Sequence, residues 1–80
     1  MKGWPDMPRL PVVSGREAVK AFQKVEYEYS HQTGSHIILR SKEPPHRHLT
    51  IPDHKELGRG LLRGLIRDAG LTIEQFIELL

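Results

Sequence analysis

The chain predicts a small α+β domain in the order α-β-β-β-α, with a short further helix at the C-terminus. Three observations carry that expectation. Two stretches with helical apolar spacing open with a capping box, Ser14-x-x-Glu17 and Thr72-x-x-Gln75. Between residues 26 and 51 the apolar period switches to two, interrupted by Thr33-Gly34 and by Pro44-Pro45. A leucine-rich stripe then returns at helical spacing before Gly70.

Residues 1–13 contain Pro5, Pro8 and Pro11, which fix φ and remove backbone donors, so an extended arm is expected there. Trp4, Leu10, Val12 and Val13 are its candidates for packing on the domain, which spans 14–80. The first helix is expected over 14–24, with Ala18, Val19, Phe22 and Val25 inward. From Glu26, the alternation of Tyr27, Tyr29 and His31 with Glu26, Glu28 and Ser30 reads as a half-buried strand. Gly34 can take the positive φ of a tight turn. Ser35 to Arg40 is the second strand, with Ile37 and Leu39 on one face and His36, Ile38 and Arg40 on the other. Arg47 to Ile51 is a short third strand, so the sheet is a three-stranded antiparallel meander with helices on one face. A helix over about 56–69 follows, with Leu57, Leu61, Leu62, Leu65, Ile66 and Ala69 inward; Gly58 and Gly60 also allow a late start near residue 59. Gly64 leaves room for close approach by the sheet or a partner, and Gly70 closes the helix. The last helix carries Ile73, Phe76, Ile77, Leu79 and Leu80, and either packs back on the core or meets another protein, a second copy included.

Composition bounds the function. Eighty residues form one domain with a thin core. The absence of cysteine removes disulfides and thiolate metal sites, which fits a reducing cytoplasm. No apolar run approaches the ~20 residues of a membrane span. The first residues, Met1-Lys2-Gly3-Trp4-Pro5, have no apolar stretch, so no signal peptide is expected. The net charge of +2 permits a polyanion partner without arguing for one. Its distribution says more, because residues 55–67 hold Lys55, Arg59, Arg63 and Arg67 against Glu56 alone.

His36 is the candidate for chemistry. An imidazole can take and return a proton near neutral pH, and RNA brings its own nucleophile in the 2′-hydroxyl. One histidine among cations would therefore suffice for cleavage without a metal. On spacing alone, an ordinary surface histidine after a turn is the favoured reading. Arg59, Arg63 and Arg67 stack along one helix face, and guanidinium forks match phosphate oxygens. A solvated helix face fits them equally well. His46-x-His48 would point two imidazoles to one side of a strand, with His54 nearby, but the lack of cysteine and the few carboxylates around them (Glu43, Asp53 and Glu56) argue against a metal site. Tyr27 and Tyr29 could stack bases, but half-buried sheet tyrosines are the preferred reading.

Taken together, Gly34-Ser35-His36, then Thr50-Ile51-Pro52-Asp53-His54, then Gly60-Leu61-Leu62-Arg63-Gly64-Leu65-Ile66-Arg67-Asp68-Ala69-Gly70-Leu71 resemble the HicA (YcfA-like) family, toxins of type II toxin–antitoxin pairs. Thr72-Ile73-Glu74-Gln75-Phe76 is similar to that family's ending, so the resemblance covers about residues 14 to 78. It implies a double-stranded-RNA-binding-domain-like fold, metal-independent mRNA interferase activity with no cofactor, and a HicB-like antitoxin that covers the site. It further implies that His36, in its Gly34-Ser35 turn, is the catalytic residue; Arg40, Lys55, Arg59, Arg63 and Arg67 are, from their own placement in the chain, the candidate cations for RNA. The chain departs from the family pattern at Tyr29-Ser30-His31-Gln32-Thr33, where basic residues are common, and at Gly60-Leu61-Leu62-Arg63, where Gly-Thr-Leu-Arg is usual. The arm over 1–13 is an addition.

Overall fold

A computed structural model describes residues 10–80, so the part of the expected arm over 1–9, Trp4 included, lies outside the described residues. The order is α1 (Gly15–Gln23), β1 (Tyr27–Thr33), β2 (His36–Ser41), β3 (His48–Pro52), α2 (Arg59–Asp68) and α3 (Ile73–Leu79). The three strands form one antiparallel sheet in the order β1-β2-β3.

Helix α1 starts where its sequence says it should. The Ser14 hydroxyl accepts from the Glu17 N–H at 3.0 Å, and the Glu17 carboxylate accepts from the Ser14 N–H at 2.8 Å. The same reciprocal pair, Thr72 with Gln75, opens α3. Each box satisfies two amides that a bare helix start would leave to water. Gly34 turns β1 into β2 with φ of 57°, and Gly70 closes α2 with φ of 79°, both in the left-handed region.

The core lies between the sheet and the helices. Ile37 and Leu39 of β2 and Leu49 and Ile51 of β3 are buried there with Ala18, Val19 and Phe22 of α1 and Leu62, Leu65 and Ile66 of α2. Their alternation leaves the opposite sheet face open. Leu10 and Val13 join the core, whereas Val12 is exposed. Helix α3 packs back on the domain: the Phe76 ring lies 5.2 Å from that of Phe22, and both are fully buried. Phe76 is therefore not available to a second copy, and Leu80 is the exposed apolar residue at this end.

Three expectations need correction. Strand β1 is not half-buried along its length; Tyr27 alone is buried, and a bulge interrupts its pairing between Tyr29 and His31. The extra residue reverses the alternation, so His31 lies across from Ile38 and away from the face of Tyr27 and Tyr29. Helix α2 takes the late start: Leu57 is buried ahead of the helix, and Leu61 is exposed rather than part of the stripe. Gly64 does not serve close packing within the domain, since a Cβ there would meet only the Arg67 side chain, at 3.9 Å.

Candidate nucleic-acid interface

Three chain segments converge at the end of the sheet that carries the β1–β2 turn. His36 is the first residue of the central strand, exposed, paired with Thr33 on one side and Pro52 on the other. The two-residue turn before it is held from two directions. The Gln32 side-chain amide donates to the Gly34 carbonyl at 3.0 Å. The Asp53 backbone N–H donates to the Ser35 carbonyl at 2.6 Å.

The start of α1 closes over the same region. Gly15 donates its N–H to the His54 carbonyl at 2.9 Å. A Cβ at Gly15 would fall inside the Pro52 carbonyl group, so only glycine lets the helix approach this closely. Arg16 donates from Nε and Nη2 to the two carboxylate oxygens of Asp53, at 3.1 and 3.2 Å. That fork, ahead of all other influences, holds the Asp53 carboxyl below the usual carboxylate range, and the carboxylate in turn raises the Arg16 guanidinium. Lys55 follows His54 and is exposed.

Along the open sheet face, strand pairing arranges side chains in rows, because directly paired residues share a face. His31, Ile38 and Thr50 form one row; Glu28, Arg40 and His48 form the next. The Ser30 hydroxyl lies 3.0 Å from His31 Nδ1. The structure thus brings His36 to one end of a face that also carries His31 and Arg40. It does not bring Arg59, Arg63 and Arg67 to that face. They are exposed on α2, in the helical layer on the far side of the sheet. Arg63 and Arg67 there border a groove of about 500 Å³ whose other walls include Gly60, Gly64, Leu71 and Ile73.

The remaining histidines scatter. His46 is in the loop, not on a strand beside His48, and its Nδ1 lies 3.0 Å from the Ser41 carbonyl. Ser41, buried at the end of β2, organises that loop: its hydroxyl accepts from the Arg47 N–H at 2.7 Å and faces the Glu43 and Pro45 carbonyls at 3.2 and 3.1 Å. Among the described residues, no three His, Asp or Glu side chains gather closely enough to hold a metal ion. Nor is any described helix long and apolar enough to cross a membrane.

Sequence reasoning missed Arg16 and His31. Nothing local marks Arg16, which shares α1 with the cation Lys20 and finds its partner 37 positions away. A bulge leaves no simple residue signature, so His31 was placed on the wrong side of its strand.

The architecture is that of a basic α+β domain with helices on one sheet face and a polar, histidine-bearing open face. A family model described as "HicA toxin of bacterial toxin-antitoxin" matches residues 15–71, and the chain belongs to this family of toxins that are paired with an antitoxin. Comparison with curated proteins gives no match.

Proposed function

We propose that the chain is an mRNA interferase, a metal-independent endoribonuclease in which His36 moves the proton at the cleaved phosphate. The observation that carries this reading is the placement of His36: exposed, at the mouth of the central strand, on a turn anchored from two neighbouring segments. Membership of the HicA toxin family supports it. The imidazole takes the proton of a ribose 2′-hydroxyl; the freed oxygen attacks the adjacent phosphorus, and the bond from phosphorus to the 5′-oxygen breaks. A protonated imidazole then supplies the proton that the departing 5′-oxygen needs.

Arg40, on the His36 face, and Lys55, beside the anchoring segment, are the nearer electrostatic candidates. Ser35 and Gly34 present turn backbone and hydroxyl to the RNA. Arg59, Arg63 and Arg67 bind phosphates away from the cleaved one, because they belong to the other layer. An mRNA substrate places the activity in the cytoplasm, where a HicB-like antitoxin would silence it by covering His36.

The test is RNA degradation and growth arrest on expression, wild type against His36→Ala. Wild-type toxicity in the variant would remove the role given to His36. A non-catalytic RNA-binding module is the competing reading, favoured by the separation of the arginine row from His36. It predicts salt-sensitive RNA binding that survives His36→Ala and weakens in Arg63→Ala and Arg67→Ala.

A further inference from the structure

Arg16 and the turn before His36 are linked by two successive contacts. The Arg16 fork engages both oxygens of the Asp53 carboxylate, at 3.1 and 3.2 Å. The backbone N–H of that same Asp53 donates to the Ser35 carbonyl, at 2.6 Å. Ser35 immediately precedes His36. The base of the link is anchored as well, because Gly15 is hydrogen-bonded to His54 and packed directly on Pro52. Helix α1 therefore grips residues 52–54 twice, through the Gly15 backbone and through the Arg16 side chain.

This arrangement is poorly suited to supporting global stability. The Arg16 side chain is 76% exposed, and ion pairs so open to water contribute little to folding. What a two-point fork does supply is orientation, since it fixes the plane of the carboxylate and with it the segment that carries the Asp53 amide. Nε and Nη2 of Arg16 are both turned to Asp53, which leaves Nη1 as its one nitrogen without that engagement.

We infer that Arg16 is a positioning residue: acting through Asp53, it holds the Ser35 carbonyl and so sets the direction in which His36 enters the sheet. In its catalytic consequence this rests on the ribonuclease reading of His36; in its structural consequence it does not. Catalytic groups displaced by about 1 Å lose on the order of a hundredfold in rate, so a loosened rather than lost anchor should cost about tenfold.

The experiment compares the full-length wild type with Arg16→Gln, Asp53→Asn, the double variant and His36→Ala. It reads kcat and KM on a single-stranded RNA oligonucleotide and hydrogen exchange at the Asp53 amide. Each single variant is expected to lower kcat about tenfold and to leave KM within about twofold. The double variant should fall no further than either single one, because both changes break one link. Exchange at Asp53 should quicken about tenfold in both single variants, while the Leu39 and Ile51 amides stay as in wild type. A raised KM in Arg16→Gln together with a lowered KM in Asp53→Asn identifies a phosphate contact and overturns the inference. Unchanged kcat in both, with His36→Ala inactive, overturns it while leaving the role of His36 intact. If His36→Ala stays active, the ribonuclease reading fails instead, and the Asp53 amide decides alone: quickened exchange sustains the link, and unchanged exchange refutes it.

Discussion

Helices α1 and α2 lie in the same layer, yet they are held by different means. Helix α1 opens with a complete capping box, carries Glu17 in its first turn, and sets Gly15 against the Pro52 carbonyl. Helix α2 opens at Gly58 with no side-chain cap and no acidic residue in its first turn, and its first residue is Arg59. A cation there opposes the helix dipole, and Gly64 in the interior lowers helix propensity further. Helix α2 persists because Leu62, Leu65 and Ile66 are buried against the sheet. A helix held by its inner face alone leaves its outer face free to carry Arg59, Arg63 and Arg67. A helix whose start is locked, by contrast, can present Arg16 at a defined angle. The difference separates a helix fixed at its start from one held only by its buried face.

Four changes would break or sharpen that contrast. The largest effect is expected from Gly15→Ala, which drives a methyl group into backbone; overpacking of this kind costs about 1–3 kcal/mol or somewhat more, read as a lower midpoint in urea. Ser14→Ala removes the cap of α1 and should cost about 1 kcal/mol by the same measurement. Gly64→Ala acts in the opposite direction. Only ordinary contact awaits the new methyl group, so the variant should be more stable by up to about 0.8–1 kcal/mol. A destabilised Gly64→Ala would mean that α2 is not limited by propensity after all, and the comparison would fail.

The smallest effect concerns pH. The Asp53 carboxyl is depressed in the folded protein, chiefly by the Arg16 fork, relative to an unfolded value of about 3.9. A depressed carboxyl stabilises the fold above that unfolded value and stops doing so as pH falls through the folded one. The stability difference between wild type and Asp53→Asn should therefore stay level from neutral pH to about pH 4 and shrink only below it. Urea midpoints recorded from pH 7 to pH 2 check this, and a difference already lost at pH 5–6 would assign it to another group.

Much of the domain was legible because its signals are local. A capping box spans four residues, a turn glycine acts at one, and the alternation of Ile37, Leu39, Leu49 and Ile51 needs only the strand period. Gly34, His36 and Arg40 were placed on the correct element for the same reason, whereas Ser35, expected as the first residue of the second strand, belongs to the turn before β2. The losses occurred where a local rule was overridden. The alternation through Tyr27, Tyr29 and His31 pointed to one face, but the bulge inserts a residue and turns His31 to the other. Leu61 fits a leucine stripe, yet the late start of α2 leaves it exposed. Arg59, Arg63 and Arg67 do share a helix, but the sheet stands between their layer and the His36 face.

By itself, then, the sequence determined the element order, the two capped helix starts, the turn that presents His36 and the resemblance that the family match bears out. These follow from steric and hydrogen-bonding rules that act within a few residues. The tertiary structure alone decided which face each site residue shares, that α3 is covered by Phe22, and that Arg16 reaches Asp53. Those contacts join residues tens of positions apart, and they arise only when burial of the core brings helix and sheet together.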